Sequence, residues 1–463
     1  MNKYIKTVCA ALVLTSAAAS AQQTYSGYFL ENYTYRFQMN PAFDNKDGFF
    51  SIPLLGNMNI AMRGNLHVKD VIYPLNDQTV LFTNPEIPNS AINKFHNVNR
   101  LGTNFKMDLL SFGFKAFGGY NTVSIGARVN ANTNVPKALF QFLKEGVENK
   151  TYDIRNFGIH TDAYAQIALN HSRNISQVPG LRVGGALKFY IGAGNVDAYF
   201  DRATLTLGEN SWNAVTNGSI YSSVNGMKFK TKERKRYMPD QNGNDVYYDA
   251  FDGMDFEFKG LNGFGIGFDL GAEYKWNDFN FSLALLDLGF ISWGKTQYAS
   301  TNGDQTFESD KFIFNANDES DHSFKNEWNN VKDNLDELYQ LEVMPELKSR
   351  TRALAATLNI GVEYEFPLYR PLHFGFLSST VIQGRYTWSQ ARFSANVAPV
   401  KWLSATANFE ASTYGCGFGW LLNFYTKGFN FFVGMDHTMG KLAKQFVPLN
   451  SNASLNFGIN IPL

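Results

Sequence analysis

Cysteine, proline, long apolar runs and an excess of either charge are all scarce in this chain. Two cysteines in 463 residues cannot build a disulfide scaffold or a Cys-rich metal site. No stretch reaches the length of about 18 apolar residues that a membrane-spanning helix needs. With 41 basic and 41 acidic residues, the chain offers no whole-molecule electrostatic case for nucleic acid. The seven histidines are scattered without zinc spacing or a nucleophile motif, so no metal or redox cofactor is expected. What is abundant is 41 Phe, 23 Tyr and 39 Gly within a 44% hydrophobic composition, too apolar for a disordered chain.

These residues are arranged with period two. From Leu354 the even positions read Leu354, Ala356, Leu358, Ile360, Val362, Tyr364 and Phe366, with Thr357, Asn359, Gly361 and Glu363 between them. From Phe264 to Trp276 the apolar residues again take even positions, opposite Gly265, Gly267, Asp269 and Glu273. Similar runs occupy 123–131, 181–191, 403–411, 429–435 and 455–463. Such alternation gives a strand two unlike faces. Several runs reach the roughly 9–11 residues of a transmembrane strand. The less apolar face is mostly small and lightly charged, and aromatics mark strand ends at Trp276, Phe279, Trp388, Trp402 and Phe424. A soluble sandwich would carry more charge there, so the reading is a transmembrane antiparallel β-barrel of about 14 strands.

Connections agree with it. Asn277-Asp278 and Lys427-Gly428 make tight turns; Pro367–Pro371 and Ala398–Val400 are nearly as short. Long polar connections are expected near 70–101, 136–157, 230–256, 297–350 and 437–452, with short turns and both termini on the periplasmic side. The stretch 192–229 reads either as one very long strand with a loop or as three shorter strands. Ahead of the barrel, Lys3 and Lys6, an apolar stretch and Ala19-Ser20-Ala21 form a signal peptide over 1–21, cleaved after Ala21. Cleavage leaves Cys416 as the single thiol. The expected organisation is then a hatch over 22–47 and a barrel over 48–463, in the outer membrane of a Gram-negative bacterium.

Two helical insertions are expected in the outer loops: Lys137–Lys144, and a helix with Phe324, Trp328, Val331, Leu335 and Leu338 on one face. The second lies in a stretch, 301–347, holding twelve acids against three lysines. Lys228, Lys230, Lys232, Arg234 and Arg236 alternate, so an extended chain presents five cations on one face, an anion or lipopolysaccharide contact. A calcium loop at Asp240 fails, lacking Gly at 245 and Glu at 251. Asp436-His437 has the types of a catalytic dyad but no candidate serine, so no enzyme is expected.

The block from Tyr28 to Phe43, with Asn40-Pro41-Ala42 just before the first strand, then Ile52-Pro53 and Asn57, resembles a family of uncharacterised Bacteroidota outer-membrane barrels. The stretches 286–293 and 432–436 resemble parts of the same proteins. That family is similar to FadL-type transporters and to the PorV and PorP components of type IX secretion. The FadL resemblance implies that the N-terminal segment lies inside the barrel, with Asn40, Pro41 and Ala42 as the hatch motif, and that hydrophobic or small molecules are bound or passed. The PorV and PorP resemblance implies a secretion or surface partner and no transport. Lipids and lipopolysaccharide are the expected surroundings, and an outer-membrane enzyme is the remote third reading.

Overall fold

In the computed structural model, which describes residues 24–76, 78–145, 150–207, 212–235, 241–257, 259–301, 305–309, 341–438 and 452–463, the alternating runs are strands of one closed sheet. The barrel strands are β1 (Asn57–Gly64), β2 (Val98–Ala116), β3 (Gly119–Pro136), β4 (Gly158–Asn174) and β5 (Leu181–Leu207). There follow β6 (Gly263–Trp276), β7 (Phe279–Trp293), β8 (Ala356–Glu365), β9 (Leu372–Ile382) and β10 (Trp388–Val400). The last are β11 (Leu403–Ser412), β12 (Gly415–Thr426), β13 (Phe429–Met435) and β14 (Ala453–Pro462). Each pairs antiparallel with its successor, and β14 returns to β1 through Met58↔Phe457 and Ala61↔Ser454, closing a barrel of 14 strands. Closure leaves no barrel strand with an unpaired edge.

The faces sort as their chemistry requires. Along β11, Phe409 is half exposed while Thr406, Asn408 and Glu410 are buried. Along β6, Phe264, Leu270 and Trp276 face out, and Asp269 faces in. Phe281, Leu283, Phe376, Phe393 and Phe418 extend this exposed apolar surface around the cylinder. A belt of that extent is a lipid-facing surface. Trp388 departs from the expected girdle: it points into the barrel and packs on the interior cluster.

Tight turns gather at the end where Phe49–Ser51 pairs with β14 beside the C-terminus. Phe117-Gly118 and Asn277 take the positive φ that such turns demand. The turn expected at Ala398–Val400 lies instead at Lys401-Trp402, because β10 runs on through Pro399. The pairing slips between Val397 and Val400, and such a bulge absorbs the missing proline N–H.

At the opposite rim the stretch 192–229 resolves into the 27-residue β5, a strand Trp212–Ser222 and the start of a third, Met227–Lys235. The expected loop over 230–256 is a hairpin, Met227–Lys235 against Tyr247–Phe256. The expected loop over 297–350 contributes Thr296–Ser300 and Glu342–Leu347 to the same extension. Periodicity was masked here because both faces of these strands carry charge. Helix α1 (Lys137–Glu145) stacks Phe140 on Phe95 at 4.1 Å, tying the β3 end to the rim beside Phe82 and Leu66. The expected helix at 324–338, Arg236, the central part of the acidic stretch and the signal peptide lie outside the described residues.

Candidate functional site: the barrel interior

Residues 24–47 lie inside the cylinder. Two short 3-10 turns, Tyr25–Gly27 and Arg36–Gln38, fold the segment back on itself. Tyr28, Phe29, Tyr33, Tyr35, Phe37, Met39 and Phe43 then bury against Leu377, Leu421 and Phe432 from the wall. Tyr33 meets Phe432 edge-on at 4.9 Å, and the Arg36 guanidinium caps Phe43 at 4.2 Å. Seven aromatics in so short a piece supply apolar burial that a polar lumen cannot give a plug.

The wall holds this plug through side chains from around its circumference. Asn423 donates to the Asn32 carbonyl at 3.0 Å, and Asn359 to the Met39 carbonyl at 2.9 Å. Thr34 donates to Asn430 at 2.9 Å, and the Tyr35 hydroxyl to Asn460 at 2.8 Å. At its upper end the Asp436 carboxylate accepts the Tyr25 and Ser26 amides at 3.1 and 2.6 Å. Burial pushes the Tyr28 hydroxyl up to about 12 although Ser282 lies 3.1 Å away, so it stays neutral.

The hatch motif sits against β5 and β6. Asn40 is fully buried and donates to the Ala272 carbonyl at 3.1 Å, while its own Oδ1 accepts the Ala42 amide at 3.0 Å. Asn170 donates to the Pro41 carbonyl at 3.3 Å and Arg182 Nε to the Ala42 carbonyl at 2.7 Å. The seat exists because Gly184 and Gly271 are cross-strand partners. A Cβ on Gly184 would stand 2.0 Å from the Pro41 carbonyl oxygen, and one on Gly271 would stand 2.1 Å from Asn40 Oδ1.

Above the plug the interior is charged. Asp287, at the β7 bulge with φ 56°, meets Arg128 at 3.0 Å and Lys188 at 2.7 Å, and Lys188 also meets Asp269 at 2.6 Å. Higher up, His160 lies between Asp197 at 2.5 Å and Asp162 at 3.0 Å, and Arg350 closes on Asp197 at 2.7 Å. Across the lumen Arg392 pairs with Glu410. His437 Nε2 lies 3.1 Å from Glu410, but burial, with Arg63 and Arg392 nearby, pushes its pKa well below the usual histidine value. Asp436 and His437 thus face different partners, the plug backbone and Glu410.

Two spaces remain. One, of about 90 Å³, lies directly on the plug and is lined by Tyr25, Lys106, Arg128, Asn130, Gln383 and Trp388 among others. The second, about 460 Å³ at the outer rim, is bordered by Arg100, Arg155, Phe200, Asp201 and Arg385. Of the basic stripe, Lys228, Lys230, Lys232 and Arg234 stand on the rim hairpin, away from both spaces. Lys230 pairs with Asp255 at 2.7 Å, and neighbouring Lys235 pairs with Asp245 at 2.6 Å. Among the described residues no cluster of metal-ligating side chains occurs.

Residues 41–436 match the model of a protein family described as of unknown function, DUF5723. Curated proteins give no match. Similar solved structures include the Ralstonia pickettii toluene transporter TbuX, at 10% identity, TM-score 0.39 and 92% of each chain. The Pseudomonas putida toluene transporter TodX is similar at 7% identity and TM-score 0.36, over 96% of this chain and 94% of that one. The translocator domain of the autotransporter NalP from Neisseria meningitidis is similar at 8% identity and TM-score 0.32, over 96% of this chain and all of that one. These likenesses are too distant to carry a function across.

Proposed function

The chain belongs to the DUF5723 family, whose function is unknown, and from its geometry we propose an outer-membrane β-barrel that binds or passes small molecules without catalysis, gated by its N-terminal plug. The observation that carries the reading is the pairing of a lipid-type outer belt with an interior segment. That segment closes one end while leaving a solute-sized space on top of it. Beyond its aromatic packing, the plug meets the wall through hydrogen bonds to individual strands, each worth about 1 kcal/mol net, and it carries no strand of the closed sheet, so it is a part that can shift without unmaking the wall. The polar lining favours small polar solutes among the hydrophobic or small molecules that the FadL resemblance implies. Lipopolysaccharide surrounds the rim in this reading, and the stripe at Lys228, Lys230, Lys232, Arg234 and Arg236 is a proposed contact with it.

The test is uptake into liposomes by the full chain and by a Thr34→Cys/Asn430→Cys variant, both with Cys416→Ser. Uptake by the full chain, loss of it on oxidation of the pair and its return on reduction are expected. Equal uptake by the oxidised variant would reject the gate. No uptake by any form would favour the second reading, a secretion-linked or surface scaffold. The strand-built extension around Trp212–Ser222 and Tyr247–Phe256 supports that reading by offering a partner surface.

A further inference from the structure

Most lumen cations described above have a carboxylate: Arg128 and Lys188 share Asp287, Arg392 has Glu410, and Arg350 has Asp197. Arg63 and Lys106 have none within ion-pair distance among the described residues, although Glu410 and Asp436 act on Arg63, and Asp108 and Asp287 on Lys106, from farther off. Arg63, on β1, is 4% exposed, and none of its three guanidinium nitrogens has a hydrogen-bond partner among the described residues. Its guanidinium carbon stands over two rings, 4.1 Å from the centroid of Trp388 and 5.9 Å from that of Tyr25. Lys106, on β2, is 6% exposed, and its hydrogen bond goes to the neutral amide oxygen of Gln38. Lys106, Tyr25 and Trp388 line the space on top of the plug with the amides of Asn104, Asn130, Asn132 and Gln383; the paired Arg128 and Asp287 also border it, and Arg63 lies behind Tyr25 and Trp388. Burying a cation costs several kcal/mol; carboxylates beyond contact distance offset only part of it, and ring faces return only about 2 kcal/mol at a desolvated site.

We propose that this space is a binding site for a small anionic solute, a carboxylate or phosphate group, whose charge is met by Arg63 and Lys106. The inference rests on the small-molecule reading above and names its substrate class. Guanidinium offers the planar, two-pronged donor edge that such oxyanions take, and the amides supply neutral donors around it. Tyr25 is the first aromatic of the plug and covers one face of Arg63. An anion reaching the guanidinium therefore displaces that ring and loosens the first turn from Asp436, which links binding to the gate.

The experiment is titration of the full chain in detergent with butyrate, inorganic phosphate and glucose, read by tryptophan fluorescence and calorimetry. A saturable response to butyrate or phosphate and none to glucose is expected, and which anion responds identifies the group. Arg63→Met and Lys106→Met each weaken binding about tenfold or more, Trp388→Phe removes the optical signal but not the heat, and Tyr25→Ala tightens binding. Arg63→Met also raises the unfolding temperature, because a group kept for ligand is a burden on the empty barrel. A response to glucose equal to that of the anions, no heat with either anion, or an Arg63→Met variant that unfolds earlier while binding unchanged would overturn the proposal. Binding is read without passage, so failure of liposome uptake leaves this result standing, and the reverse.

Discussion

Asn40 shows how much one side chain does here: it stitches β6 to the plug and closes its own turn over Ala42. Its seat depends on missing side chains, so Gly271→Ala is the sharper probe. The added Cβ collides with Asn40 Oδ1, and the plug loses about 1–3 kcal/mol of anchoring. Limited proteolysis of folded protein should then cut within 24–47 where the parent resists. His437 gives a second residue-scale prediction. Its pKa is lower folded than unfolded, so below the unfolded value of about 6.5 the unfolded chain binds the extra proton. Stability is therefore present above that pH and falls as the solution is acidified. Thermal unfolding in detergent should drop between neutral pH and pH 5, and His437→Gln should lessen the drop. Asn40-Pro41-Ala42 was conspicuous in the sequence as a turn ahead of a strand. Arg63 was not, since one basic residue in a polar–apolar alternation looks like any lumen charge until its lack of a partner is seen.

Among the elements, β7 carries the most consequential irregularity. Its bulge turns Asp287 toward Arg128 and Lys188 and places its amide 2.7 Å from Asp269 Oδ1. Asp287→Asn leaves the buried Arg128 without its carboxylate, while Lys188 keeps Asp269, at a cost of about 3–5 kcal/mol. The heat needed to convert the folded gel form to the unfolded one should fall accordingly. The alternation from Phe264 and from Leu354 located β6 and β8 because each has one apolar and one polar face. The rim strands Met227–Lys235 and Tyr247–Phe256 escaped that test. Standing clear of the belt, they are not sorted by lipid, and charge on both faces reads as loop. Removing 227–256 should accordingly leave the barrel able to fold, checked by the same gel shift.

At the scale of the whole molecule, two demands divide the aromatic residues. Phe264, Trp276, Phe409 and their neighbours coat the outside, where lipid rewards them. Tyr28, Tyr33, Tyr35 and Phe43 fill the inside, where they give the plug its own small core. The barrel was legible because its constraint, polar within and apolar without, repeats along every strand. The interior was less so, because its contacts join residues hundreds of positions apart, as Tyr25 and Asp436 do. A cylinder gated by its plug should stay open when that one short segment is removed. Planar-bilayer conductance of the intact chain against a variant lacking 24–43 measures this most directly. Steady conducting steps from the shortened barrel and only brief, infrequent openings of the intact protein are expected, whereas a folded shortened barrel that conducts no more than the intact one would contradict a gating plug.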